Sequence, residues 1–184
     1  GEHYISSTTI AESLKLNPIQ VRKDLAFVSS TAGKPRMGFE INELINDIET
    51  FLGYNNVDDA ILVGVGQLGR TLLSYDGFKN YGLNIVAAFD SNEDIVDIKI
   101  SGKNILPMSK LPALVDRLKI NIGIITVPKQ YAQEICNIMV KSGIRGIWNF
   151  APIHLEVPAD IVVKNENMAA SLAYLSRKLS ETIN

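Results

Sequence analysis

Along most of its length the chain alternates short apolar runs with segments whose apolar residues recur every three or four positions. From residue 6 to residue 28 (SSTTIAESLKLNPIQVRKDLAFV) the spacing is helical and breaks once near Asn17, which predicts two short helices joined by a tight turn. Ile10, Ala11 and Leu14 form the stripe of the first helix, with Ser7 or Thr9 as N-cap and Glu12 closing a capping box. Asn17 caps the second helix, Pro18 fits its first position, and Gln20 is the reciprocal partner; Ile19, Leu25 and Val28 mark its inner face. A loop, SSTAGKPRMG, leads to a short alternating strand through Phe39 and Ile41. Residues 42–53 (NELINDIETFLG) then read as an amphipathic helix stopped by Gly53. The polar, turn-prone stretch at 54–59 (YNNVDD) is the natural boundary between domains.

Past that boundary the pattern changes. Apolar runs at 60–63, 83–89, 120–127 and 144–150 predict buried strands, and the stretches 67–75 and 129–142 predict helices between them. Strands that are apolar nearly throughout and alternate with helices imply a parallel sheet covered on both faces, an α/β, Rossmann-like domain. The last segment, 167–180 (NMAASLAYLSRKLS), places Met168, Leu172, Leu175 and Leu179 in one seam, with Ala169, Ala170 and Ala173 permitting close approach. That seam suits either the chain's own sheet or a second copy of the chain.

Charge adds a local feature. The 184 residues carry a formal net charge of −2. Between residues 15 and 36, however, Lys15, Arg22, Lys23, Lys34 and Arg36 face a single acid, Asp24. A basic second helix followed by a basic loop is the pattern of a winged helix-turn-helix, with helix 18–28 in the major groove and the loop at phosphates. A small helical domain with a solvated basic face is the alternative.

The candidate chemistry centres on ILVGVGQLGR at 61–70. Gly64, Gly66 and Gly69 follow a strand and open a helix, and Asp90 ends the next strand 21 residues after the last glycine. Gly64 permits the tight turn, Gly66 admits a pyrophosphate, and Gly69 lets helix pack on sheet. Asp90, with Glu93 and Asp94 nearby, favours ribose hydroxyls over a 2′-phosphate, hence NAD over NADP. Thr126, Val127 and Pro128, and Asn149, Phe150, Ala151 and Pro152, end two further strands at the edge where such sheets bind ligands. A catalytic set is missing: His3 and His154 are isolated and Cys136 reads as core filler, so binding without turnover is expected. No disulfide framework, metal site or membrane span is predicted, and a cytoplasmic protein is the expectation.

Taken together, QVRKDL with its wing, GVGQLG, AAFD, TVP, NFAP and the terminal helix resemble the Rex family of redox-sensing transcriptional repressors over nearly the whole chain. The resemblance implies a homodimer with a winged-helix DNA-binding domain at 1–55, a Rossmann-like NAD(H)-binding domain at 56–164 and an exchanged C-terminal helix at 165–184. It implies binding to a palindromic, A/T-rich operator and release when NADH replaces NAD. Carried over by residue, the ligand set is Gly64, Gly66, Gln67, Leu68, Gly69, Asp90, Thr126, Val127 and Pro128. Asn149, Phe150, Ala151, Pro152, Tyr75 and Met168 lie towards the nicotinamide. The DNA set is Ser7, Gln20, Arg22, Lys23, Lys34 and Arg36.

Three departures from the family pattern stand out. The glycine-rich loop ending in Gly-Tyr is VSSTAGKPRMGF here, with Phe39 for the tyrosine. An acid followed by an aromatic is expected near the start of the last helix, where this chain has Asn167 and Met168. The family's first helix is not found ahead of Ser6. The second departure implies a weakened or retuned redox response, because Asn167 supplies no carboxylate and Met168 no ring. A coenzyme A-binding, succinyl-CoA-synthetase-like domain and a small NAD-dependent oxidoreductase are the competing readings.

Overall fold

The computed structural model describes residues 3–35, 37–53 and 58–183. They form two compact units. One contains the elements up to residue 53 together with Asn80–Gly82, and the other holds the rest from Asp58 onward.

In the first unit, β1 (Tyr4–Ile5) pairs antiparallel with β2 (Phe39–Glu40), and between them lie α1 (Ser7–Leu14) and α2 (Pro18–Val28). α3 (Ile41–Phe51) follows directly. α2 starts as predicted, with Asn17 Oδ1 accepting from the amides of Ile19 and Gln20 and Pro18 in the first turn. α1 starts differently. Its cap is Ser6, whose Oγ accepts from Thr9 N at 3.0 Å, because Ser6 is the last extended residue and Ser7 is already helical. Gln20 does not reach back to its cap either; it donates to Asp24 Oδ1 at 2.7 Å, one turn ahead. The inner face of α2 is Val21 and Leu25, which pack with Ala11 and Leu44, while Ile19 is 68% exposed. The predicted strand stops one residue short of Ile41, which begins α3.

The second unit is a seven-stranded sheet built from β3 (Asp58–Val63), β4 (Leu83–Asp90), β5 (Lys99–Ile100), β6 (Lys103–Pro107), β7 (Ile122–Ile125), β8 (Gly146–Asn149) and β9 (Val162–Asn165). Its strand order is β5-β6-β4-β3-β7-β8-β9, parallel throughout except for the β5–β6 hairpin. Helices α4 (Gln67–Ser74), α5 (Leu111–Leu118) and α6 (Lys129–Ser142) cross over between strands. Two apolar clusters form, one around Phe89, Leu111, Cys136 and Met139, the other around Leu62, Leu73, Ile105 and Ile124. β3 is fully buried from Ala60 to Val63, as its unbroken apolar run requires. The chain leaves β3 towards β4 on one side and returns at β7 on the other. The carboxyl ends of β3 and β7 therefore flank the crevice where the strand order reverses.

α7 (Met168–Ile183) closes the chain. Met168, Leu172, Leu175 and Leu179 are each more than half exposed, so this helix does not cover its own sheet.

Candidate functional site

The glycine turn sits at the reversal point between β3 and β7. Gly64 adopts φ +98°, a left-handed conformation, and a side chain there would run into Val127 and the backbone of Thr126. Thr126 holds the turn from the neighbouring strand: its amide donates to Val63 O at 2.9 Å, and its hydroxyl to Gly64 O at 2.6 Å. Gly69 packs so tightly on the turn that an added Cβ would overlap Gly64 O. Gly66 is the opposite case, with no atom within 4 Å of where a Cβ would stand. Gly66 is the N-cap of α4 and supplies no side-chain cap, so no side chain of the cap residue occupies the first-turn amides.

Asp90 faces the turn from the end of β4. Its Oδ2 accepts from Val65 N at 2.6 Å and its Oδ1 from Asn92 N at 2.9 Å. Gly64, Gly66, Asp90, Thr126, Val127 and Pro128 line one pocket of about 510 Å³. Met108, Tyr131, Glu134, Ile135 and Ile138 are also among its lining residues. Sequence reasoning missed these five, although Tyr131, Glu134, Ile135 and Ile138 recur at helical spacing along α6 and so share a face. Arg70, one turn into α4, donates from Nε to Val65 O at 3.1 Å and brings a cation beside the glycine turn.

The remaining ligand candidates fall elsewhere on the second unit. Tyr75 and Phe150 line a separate apolar groove of about 810 Å³. They are the ends of a chain of rings, Tyr75–Phe78–Trp148–Phe150, with centroid separations of 4.8, 5.5 and 4.7 Å. Ala151 and Pro152 line a third cavity of about 270 Å³ opposite Asn165, Glu166 and Asn167. Met168 is 68% exposed at the first turn of α7. Asn149 is fully buried, with its amide hydrogen-bonded inside the protein.

On the first unit, Gln20, Arg22 and Lys23 are exposed on α2, and Ser7 is half-buried at the start of α1. The loop after α2 closes through a bridge between Lys34 and Gly38. Lys34 Nζ donates to Tyr4 OH at 2.6 Å and lies 4.8 Å from the centre of that ring, and the hydrogen bond raises its pKa above the usual lysine value. Arg36 lies outside the described residues. Asp47 of α3 anchors the start of the loop, accepting from Ser30 N at 2.7 Å and from the Ser30 hydroxyl. These bonds hold its pKa below the usual carboxylate value. Burial pushes the Cys136 thiol up, as suits a core side chain. Among the described residues no group of acids, histidines and cysteine is arranged to hold a metal, and no helix is long and apolar enough to cross a membrane.

Comparison with known proteins agrees with both halves. Residues 1–26 match a family model described as putative DNA-binding protein N-terminus, and residues 55–153 one described as CoA binding domain. Over 94% of its length the chain is 45% identical to the redox-sensing transcriptional repressor Rex of Treponema denticola, covering 81% of that protein. It is 40% identical to Rex of Bacteroides fragilis, over 98% of this chain and 81% of that one. The chain belongs to the Rex family of redox-sensing transcriptional repressors.

Solved Rex structures extend the likeness. The Rex-family repressor RSP in complex with β-NAD⁺ and operator DNA superposes with a TM-score of 0.91 at 32% identity, covering 98% of this chain and 82% of that one. RSP in complex with β-NADH gives 0.86 at the same identity, covering 98% and 84%. Rex proteins are repressors and not enzymes, in keeping with the absence of a catalytic set in the sequence. The coenzyme A description applies to the glycine-rich part alone, whereas the Rex likeness spans both units.

Proposed function

We propose that this protein represses transcription from a palindromic, A/T-rich operator and leaves it when NADH replaces NAD in the pocket at the reversal point. The observation that carries the reading is Gly66. The backbone is left bare at the mouth of a helix, with nothing within 4 Å of the missing Cβ and the Asp90 carboxylate on the adjacent strand. A pyrophosphate fits such a cradle through first-turn amides, and a carboxylate beside it selects ribose hydroxyls over a 2′-phosphate. RSP, at 32% identity, is described in complex with β-NAD⁺ and with β-NADH.

In this reading residues 56–164 hold the dinucleotide. Gly64, Gly66, Gln67, Leu68 and Gly69 meet the pyrophosphate, Asp90 the adenosine ribose, and Thr126, Val127 and Pro128 the opposite wall. Tyr75, Phe150, Ala151, Pro152 and Met168 serve the nicotinamide side, with Asn149 behind them. Residues 1–55 read DNA through Ser7, Gln20, Arg22, Lys23, Lys34 and Arg36. Residues 165–184 pair two copies in the cytoplasm, which supports the two-fold symmetry of the operator. Asn167 and Met168 leave the release step retuned. Binding of an A/T-rich palindrome during titration with NADH at fixed NAD tests the reading: affinity falls as NADH rises, and a chain that binds no operator, or binds equally at all ratios, defeats it.

A further inference from the structure

Two side-chain hydrogen bonds tie the end of β8 to the root of α7, one on each face of the sheet. β8 and β9 run parallel, with Trp148 opposite Lys164 and Asn149 opposite Asn165. Consecutive strand residues point to opposite faces. On one face, Asn149 Nδ2 donates to Asn165 Oδ1 at 2.8 Å. On the other, Trp148 Nε1 donates to Glu166 Oε1 at 2.9 Å. Between them Glu166 N donates to Asn149 O at 2.8 Å. The next residue, Asn167, caps α7, its Oδ1 accepting from Ala170 N at 2.9 Å.

The chemistry of Asn149 indicates what this arrangement is for. It is the one buried polar side chain among the described residues, and burial of such an amide is costly unless its hydrogen bonds are made. Its amide is fully engaged: Nδ2 also reaches the carbonyls of Ala151 at 3.1 Å and Ile153 at 3.0 Å, and Oδ1 accepts from Ala151 N at 3.0 Å. One side chain thus fixes the loop 151–153 and the root of α7 together. Those two segments are opposite walls of the 270 Å³ cavity. Replacing such an amide leaves several polar groups without partners, so the side chain specifies a geometry that packing alone would not.

We propose that Asn149, Asn165, Trp148 and Glu166 are positioning residues that make the loop 151–153 and the start of α7 a single mechanical piece, so that displacement of the loop by ligand is delivered to the helix. The inference rests on the functional reading above, in which this loop borders the nicotinamide and α7 pairs with a second copy. It predicts a split between binding and response. In the full chain, Glu166→Ala and Asn165→Ala leave NADH affinity near wild type by calorimetry. They shrink the ratio of operator affinities in NAD and in NADH by about threefold to tenfold, the range over which coupling residues act. Glu166→Gln, which keeps an acceptor for Trp148 Nε1, retains the wild-type ratio.

Trp148 is the only tryptophan in the chain, so its emission reports directly whether the strut is broken. Should an alanine variant fail to fold, Asn165→Ser and Glu166→Ser, which keep Trp148 as the reporter, carry the same expectation. Variants with a broken strut and an unchanged ratio overturn the inference alone. A wild-type chain without NADH-dependent release overturns the functional reading, and this inference with it.

Discussion

The carboxylate of Asp90 accepts the amide hydrogen of Val65 at 2.6 Å, which ties the end of β4 to the middle of the glycine turn. The acid is therefore a latch on the turn as well as a candidate partner for ribose. Asp90→Ala loses a charge-assisted bond of about 1.5–3 kcal/mol. NADH affinity, measured by calorimetry, should fall by about tenfold to a hundredfold. An unchanged affinity would remove Asp90 from the site.

Gly66 and Gly69 separate ligand binding from folding. Gly66→Ala places a methyl in open space, so its melting temperature should stay within about 2 °C of wild type while NADH binding is lost. Gly69→Ala drives a methyl into Gly64 O, an overpacking cost of about 1–3 kcal/mol, and should lower the melting temperature as well. If Gly66→Ala still binds NADH like wild type, the pyrophosphate does not approach at that point.

Arg22 and Lys23 are exposed on the outer face of α2, while Lys34 is engaged by Tyr4. Neutralising both α2 cations should weaken operator binding by about tenfold or more and flatten its salt dependence by about one unit for each phosphate that no longer meets a cation. Lys34→Ala should cost less. Fluorescence anisotropy across a range of salt concentrations measures all three variants.

Much of this was legible in the sequence because it rests on local chemistry. The cap of α2 needs only Asn17 and Pro18, α6 only its helical spacing, and β3 only an unbroken apolar run. One patterned element escaped, α5 (LPALVDRL), whose buried Leu111 and Val115 stand at helical spacing; the others are weakly patterned. β6 (KNILP) and β9 (VVKN) are short and partly polar, since each meets solvent, and β1 has two residues that are defined only by their pairing with β2. The same holds for the site. Gly64, Gly66 and Asp90 announce themselves by spacing, but the latch of Asp90 on Val65 and the pin of Thr126 on Gly64 depend on strand neighbours far apart in the chain. The buried role of Asn149 was invisible for that reason too: its partner Asn165 lies 16 residues away.

Leu172 and Leu175 stand 67% and 62% exposed in the single chain. Replacing both with glutamate should convert a dimer into a monomer by light scattering, leave the second unit folded, and abolish tight operator binding. A dimer that survives both changes would place the pairing surface elsewhere.

The bare seam of α7 carries a consequence beyond architecture. In the proposed pairing each leucine that the seam buries contributes about 1.5–3 kcal/mol, and association is second order in protein. The number of copies in the cell then becomes an input to the regulator alongside the coenzyme ratio: a scarce repressor is a weaker listener, whatever the redox state.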